Sequence, residues 1–533
     1  MMIKKKFLFP ILIIFIVFVC IAASGSHIYT AGRNLYVKIK LFSEILNTIN
    51  NNYVEDVSYD NLIENAIQGM ITELDPHTKY LTKEQFEEWN KNYQGYSGIG
   101  IRYDIIDKKI TVISVFEDGP SDLAGIKPGD RIVTINDESA YGIKREEVQK
   151  KLMGPKGTRV TVEVERSYWK IPHEIIIERD NIHVKSIPYT FMLNENIGYM
   201  YIVRFSKTTE KELIEGLQYL QSKGMSRLIL DLRNNGGGYL LAAVGVVDRF
   251  IDGDKKIVYT RGRIKNSYHQ FFSTDKNVYS KLPMIILINR HSASASEIVS
   301  GSLQDWDRAL ILGETSFGKG LVQNQYTFTD GSALLITTAR YYTPSGRIIQ
   351  RPFDNKSHDE YYKEVLDDSL RKIWEKNPDR PQFSTMILKR DVLGGGGITP
   401  DVFLNTPEDT ISALVRDLYY SKDRLFFTFA EKYIESHKNE LETNYEEYLK
   451  TVDPNTIFNT FLTYIDGKDI EYSFKEISEN KKDIIFLLKR AIVNQNWGNE
   501  AGYKLSLLRD YQLKKSIDYF PDAERLIEKR TKE

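Results

Sequence analysis

Ser226-Arg227-Leu228-Ile229-Leu230-Asp231-Leu232 is an apolar run of strand length, and Arg233-Asn234-Asn235-Gly236-Gly237-Gly238 follow it directly. Three consecutive apolar residues, Leu228-Ile229-Leu230, with no polar alternation read as a strand buried on both faces. Upstream, residues 209–223 alternate polar and apolar positions at helical spacing, and Ile197-Gly198-Tyr199-Met200-Tyr201-Ile202 is another strand-like run. Strand, helix and strand in succession predict an α/β layer with partly parallel strands over roughly residues 183–405. The three glycines let backbone come close to a partner after the buried strand.

On the amino-terminal side the pattern changes. Residues 91–182 carry short β-rich runs, such as Ile110-Thr111-Val112-Ile113-Ser114-Val115 and Val160-Thr161-Val162-Glu163-Val164, separated by turns. Before them, residues 26–90 place Leu41, Ile45 and Ile49, then Leu62, Ala66 and Met70, at helical spacing. Leu74-Asp75-Pro76-His77 ends that helical stretch, because proline disfavours helical geometry in the residue before it. Residues 406–533 are charged and helical, with Tyr, Phe and Leu recurring among Glu and Lys, and nothing in them suggests chemistry. A chain of 533 residues exceeds one hydrophobic core, so a multidomain α+β protein is expected.

Composition removes several functions. With 72 Lys and Arg against 73 Asp and Glu, no cationic excess is available for phosphate contacts, which argues against nucleic acid as a partner. The single cysteine, Cys20, lies in an apolar run, so the folded part has no thiol for a disulfide, a zinc site or a cysteine nucleophile. No cofactor or metal is implied. Lys4-Lys5-Lys6 precede the apolar residues 7–23, the pattern of an export signal, with residues 1–25 forming a cleaved signal or a retained anchor. The lysines stay cytoplasmic and the bulk of the chain is expected in the periplasm, held at the inner membrane if the segment is kept. Val19 before Cys20 argues against lipidation.

Two further stretches carry chemistry: His291-Ser292-Ala293-Ser294-Ala295-Ser296-Glu297 and Ser316-Phe317-Gly318-Lys319-Gly320-Leu321-Val322-Gln323. Small neighbours leave a hydroxyl accessible, and Ser292, Ser294 and Ser296 are all candidates for a nucleophile. Serine needs a base, and lysine can supply one only if burial brings its proton affinity down from ~10.4 toward neutrality, a change worth roughly 4 kcal/mol. Gln323 lies four residues after Lys319, on the same face if the segment is helical. Its amide oxygen orients an amine without the negative charge that would keep it protonated. Gly237 and Ala295 are the expected backbone donors to an oxyanion, with Gly238 as a substitute.

These segments, with Leu74-Asp75-Pro76-His77, Gly98-Ile99-Gly100-Ile101, Tyr341-Tyr342-Thr343-Pro344-Ser345-Gly346-Arg347 and Gly397-Ile398-Thr399-Pro400-Asp401, resemble those of the carboxyl-terminal processing proteases in content and order. The resemblance implies a core related to the crotonase fold, with Ser294 as nucleophile, Lys319 as base and Gln323 as the third catalytic position. Residues 96–180 resemble a PDZ domain, in which Gly98, Ile99, Gly100 and Ile101 would hold a peptide's terminal carboxylate while the peptide adds a strand to a sheet edge. The implied partners are proteins or peptides with free carboxyl-terminal tails; an adaptor and a homo-oligomer stay open. Two positions depart from the family. His291 stands where relatives carry a small residue and invites a histidine base, although three residues before the nucleophile is poor placement. Met153 stands where some relatives have an arginine that couples peptide binding to the active site.

Two competing readings remain. Gly313-Glu314-Thr315-Ser316-Phe317-Gly318-Lys319 has the spacing of a phosphate-cradling loop, but Gly320 occupies the position of the metal-binding hydroxyl. A non-catalytic exported PDZ scaffold would need none of Ser294, Lys319 and Gln323. The sequence thus predicts an exported serine endopeptidase that takes hold of protein tails and cleaves through an acyl-enzyme.

Overall fold

The computed structural model describes residues 34–533 except 95, 276–277, 355, 406–410 and 469, with backbone alone for 91–94. The expected export segment and Cys20 lie outside the described residues. No helix among those described is long and apolar enough to cross a membrane. The chain divides into two compact units, Met1–Tyr80 with Leu334–Ile336, and the remainder.

In the first unit a helix spans residues 34–52 and a second spans Tyr59–Thr72, started by the Ser58 hydroxyl accepting from the Asn61 N–H. After the second helix, the Asp75 carboxylate accepts from the N–H groups of His77 and Thr78 and from the Thr78 hydroxyl. The Leu74–His77 stretch is therefore a turn organised by its aspartate.

The second unit contains an antiparallel sheet built on Ile101–Ile106, Lys109–Val115, Arg131–Ile135, Arg159–Glu165 and His173–Glu178, in that spatial order. Arg159–Glu165 alternates buried valines with more exposed polar residues, the mark of a sheet with one face on a core. Ile101–Ile106 lies at the end of the order, paired through Ile101 with Val115 and through Ile106 with Lys109. Helix Arg145–Leu152 buries Val148 and Leu152.

A mostly parallel sheet orders Tyr189–Met192, Ile197–Tyr201, Arg227–Asp231, Met284–Ile288, Leu310–Gly313 and Val402–Phe403, all parallel after the first antiparallel pair. Met284–Ile288 is fully buried, as an apolar run covered on both faces should be. Leu228, Leu230 and Ile286 face a cluster with Leu217, Val246 and Val299 from three helices. On the opposite face, Ile229, Ile285 and Leu287 meet Leu507, Leu513 and Phe520. The carboxyl-terminal helices are thus the second cover of this sheet. They also grip the antiparallel domain: Arg131 forms a two-pronged pair with Glu431 at 2.6 and 2.9 Å, and Arg424 donates to Asp104 at 2.8 Å.

Candidate active site

Three neighbouring parallel strands, Arg227–Asp231, Met284–Ile288 and Leu310–Gly313, release their chains at the same carboxyl edge of the sheet. Their loops carry Gly236–Gly238, Ser292–Ser296 and Lys319 respectively, so three distant stretches of sequence meet because their strands are neighbours.

The first two loops are stitched together. Asn234 and Asn289 exchange hydrogen bonds of 2.9 Å, the Ser292 hydroxyl donates to the Leu232 carbonyl at 2.8 Å, and the Ser296 hydroxyl donates to the Asn235 carbonyl at 2.9 Å. Ser292 and Ser296 are completely buried, and their hydroxyls hold backbone; Ser294 alone of the three is partly exposed. It immediately precedes helix Ala295–Asp305 with φ 57° and ψ −111°, a conformation costing a non-glycine residue about 1 to 3 kcal/mol. Such strain persists only where surrounding contacts enforce it.

Gly237 is one of those contacts. A Cβ there would lie 2.8 Å from both the Ala293 carbonyl oxygen and Ser294 Cβ, so only glycine permits this approach. Gly238, with φ 146°, is pressed against the Phe205 backbone, with which it forms a parallel bridge. The Gly237 N–H donates to Asn235 Oδ1 at 2.8 Å, so in this conformation it is engaged within its own loop. The Ala295 N–H, in the first turn of a buried helix, has no acceptor among the described residues.

Lys319 Nζ donates to Gln323 Oε1 at 2.7 Å. The helical spacing considered for this pair does not occur: Leu321–Thr327 is a strand, and Lys319 lies in the irregular segment entering it. The side chains meet across the junction of that segment with the strand. The same geometry removes the phosphate-loop reading, because a strand follows Lys319 where that loop needs a helix amino terminus.

Glu297 joins the loops. One of its oxygens accepts from the Ser294 N–H at 2.7 Å and the Lys319 N–H at 2.9 Å; the other accepts from the Ser316 hydroxyl at 2.5 Å and the Gly318 N–H at 2.7 Å. Burial pushes this carboxyl above the usual glutamate range, against the pull of those donors. Tyr341 makes a second link, its hydroxyl contacting the carbonyls of both Ser294 and Lys319, and burial raises it well above an ordinary phenol. Sequence reasoning assigned neither residue. The signal for Glu297 was present, since Ser294-Ala295-Ser296-Glu297 has the spacing of a capping box at a helix start.

His291 is exposed, and its proton affinity is lowered by burial of part of its ring and by Arg290. No hydrogen bond joins it to Ser294 among the described residues. His291→Ala is expected to leave kcat/KM within about threefold, the usual scale for a surface substitution, in a steady-state hydrolysis assay.

In the antiparallel domain, Ile99, Gly100 and Ile101 line a cavity of about 700 Å³ together with Phe116, Leu152 and Met153. Gly98 sits just behind it, ending the strand Tyr96–Gly98. The cavity lies between the Ile101–Ile106 strand and helix Arg145–Leu152, beside a glycine at φ 74°, and its walls mix apolar side chains with charged ones such as Glu87, Arg102 and Arg145.

The peptidase family S41 model matches residues 196–354, a PDZ domain model matches 111–166, and the amino-terminal domain model of the activating protease CtpB matches 26–85. A carboxy-terminal-processing protease of Bartonella bacilliformis is 38% identical over 323 residues, covering 60% of this chain and 74% of its own. The carboxy-terminal processing protease CtpA of Bacillus subtilis is 34% identical over 306 residues, covering 57% and 65%. Among solved structures, a photosystem II D1 C-terminal processing protease aligns over 72% of this chain and 97% of its own, at 24% identity and a TM-score of 0.35. The chain therefore belongs to the carboxy-terminal processing proteases, serine-type peptidases with a PDZ domain.

Proposed function

We propose that this protease is exported to the periplasm, binds the free carboxyl terminus of a protein in the cavity lined by Ile99, Gly100 and Ile101, with Gly98 behind it, and cleaves peptide bonds through an acyl-enzyme on Ser294. Its core is of the crotonase type. Lys319 takes the Ser294 proton as the hydroxyl oxygen attacks the scissile carbonyl, and later passes it to the leaving amine; water then releases the acyl group. Gln323 orients the amine. The Ala295 N–H stabilises the tetrahedral oxyanion, joined by Gly237 once its N–H leaves Asn235. The observation that carries this reading is the Lys319 Nζ to Gln323 Oε1 bond at 2.7 Å, on a segment whose backbone shares the Glu297 carboxylate with that of Ser294. Lys4-Lys5-Lys6 and the apolar residues 7–23 support export, and lysine-assisted serine chemistry requires no metal.

The test compares an unstructured protein ending in apolar residues with the same protein amidated at its carboxyl terminus. Losing one charge-assisted contact, worth about 1.5 to 3 kcal/mol, is expected to lower kcat/KM roughly 10- to 100-fold. Equal cleavage of both substrates would remove tail recognition from the reading.

A further inference from the structure

The loop Asp231–Gly238 is held from outside the peptidase core. Arg233 spreads its guanidinium over three acceptors. Its Nε lies 3.0 and 3.1 Å from the two Asp231 oxygens, one terminal nitrogen donates to Asp510 and Gln512 at 3.0 Å each, and the other donates to Asp231 at 2.5 Å and Asp510 at 2.6 Å. The Arg233 N–H also donates to Asp231 at 3.0 Å, fixing the turn into the glycines. Tyr199 donates its hydroxyl to the same aspartate and shares a 2.7 Å hydrogen bond with Tyr503. Asp510, Gln512 and Tyr503 all belong to the carboxyl-terminal helical region, beyond residues 196–354 matched by the peptidase model.

We infer that Asp510 is a positioning residue of the active site, holding Arg233 and, through it, the Asp231–Gly238 loop against the Ser294 turn. The inference rests on the reading of Ser294 and that loop as the catalytic site. Asp510 is itself fixed: it caps helix Tyr511–Ile517 by accepting from the Leu513 N–H at 2.9 Å. Gln512 is anchored by donating to the Leu404 carbonyl at 2.6 Å. Burial opposes the guanidinium charge, but Asp231 and Asp510 outweigh it and hold Arg233 well above its ordinary range. The fork geometry turns this charge pairing into direction, because a planar guanidinium bound two-pronged cannot rotate without losing bonds. Removing Asp510 leaves buried N–H groups without acceptors, four residues before Gly237. The loop relaxes toward other partners, and the glycine backbone loses its approach to Ser294.

The experiment uses the full chain with an unstructured protein ending in apolar residues as substrate. Asp510→Asn keeps the side chain's size and one cap oxygen but loses the second carboxylate oxygen. It is expected to lower kcat by about 10- to 100-fold, the scale of a small misplacement near the reacting atoms, while KM changes by less than about threefold. Affinity for a peptide boronic acid, which forms a tetrahedral adduct on serine, falls by the same factor as kcat. Asp510→Glu, which keeps the carboxylate, recovers part of the loss. Unchanged kcat in Asp510→Asn overturns the inference, as does an unchanged boronate affinity in folded protein. If Asp510→Asn does not fold, Gln512→Ala serves, with a smaller loss of kcat expected and full kcat overturning the inference. Ser294→Ala runs beside both: if it still hydrolyses substrate, the reading of the site fails, whereas an inert Ser294→Ala beside a fully active Asp510→Asn defeats the inference alone.

Discussion

Ser294→Ala is expected to lower peptide hydrolysis by on the order of 10⁴- to 10⁶-fold, the loss seen when a nucleophile is removed from a serine peptidase. The side chains around it explain why no neighbour replaces it. Ser292 and Ser296 are the neighbouring serines along the chain, and both are wholly buried and committed to the Leu232 and Asn235 carbonyls. His291 is exposed and has no hydrogen bond to Ser294 among the described residues. Lys319→Ala should fall into the same range, because residues that act as a unit are not additive and the double variant should be little worse than either single one. The measurement is product formation by mass spectrometry, with fluorophosphonate labelling as a second readout. Ser294→Ala takes no label, and Lys319→Ala takes it slowly. Full activity in Lys319→Ala would exclude the lysine as base.

Glu297→Ala should be nearly as damaging, although Glu297 touches no substrate in the proposed mechanism. Its carboxylate accepts from four donors on two loops, all buried or partly buried. Leaving a buried donor unsatisfied costs about 1 to 3 kcal/mol, so losing acceptors for several donors exceeds what the strained Ser294 turn can bear. Glu297→Gln makes the finer test. An amide has one oxygen, and its NH₂ can face Ser316, whose hydroxyl can turn and accept, but then the Gly318 N–H has no acceptor. One such loss predicts a drop in kcat/KM of roughly 10- to 100-fold, intermediate between wild type and Glu297→Ala. Wild-type activity in Glu297→Gln would show that the carboxylate is dispensable. The sign of its effect on stability also follows. A carboxyl titrating higher in the folded than the unfolded state gives stability that is present at low pH and lost as pH rises through the folded value. Glu297 therefore costs the fold stability when ionised, the state in which it can serve four donors.

Much of this was legible from residue patterns. The apolar runs at Ile197–Tyr201 and Arg227–Asp231 announced partly parallel strands, and the switch to β-rich runs near Ile110 announced a different domain. Local patterns could not reveal what depends on strand order. Gly237 lies against Ser294 because their strands are neighbours, and no spacing in the chain encodes that adjacency. Gln323 does bond Lys319, but not through the helical spacing that suggested the pair, since residues four apart can also meet where the chain is not helical. The Ser294-to-Glu297 spacing marked a helix cap but could not disclose that the capping carboxylate also reaches Gly318 and Lys319. The carboxyl-terminal region looked featureless because its charged residues resembled a solvated helical face; Asp510 differs from its neighbours only in what it meets 277 positions away.

That separation bears on how the protein is made. A chain synthesised from its amino terminus releases the glycine loop, Ser294 and Lys319 in turn, and Asp510 only after nearly all the rest. Until Tyr503, Asp510 and Gln512 have emerged and folded back, Arg233 lacks most of its acceptors and one face of the sheet lacks Leu507, Leu513 and Phe520. Closing the bond between Arg233 and Asp510 so late means that the glycine loop takes its final hold only after the strands and loops around Ser294 and Lys319 have been made.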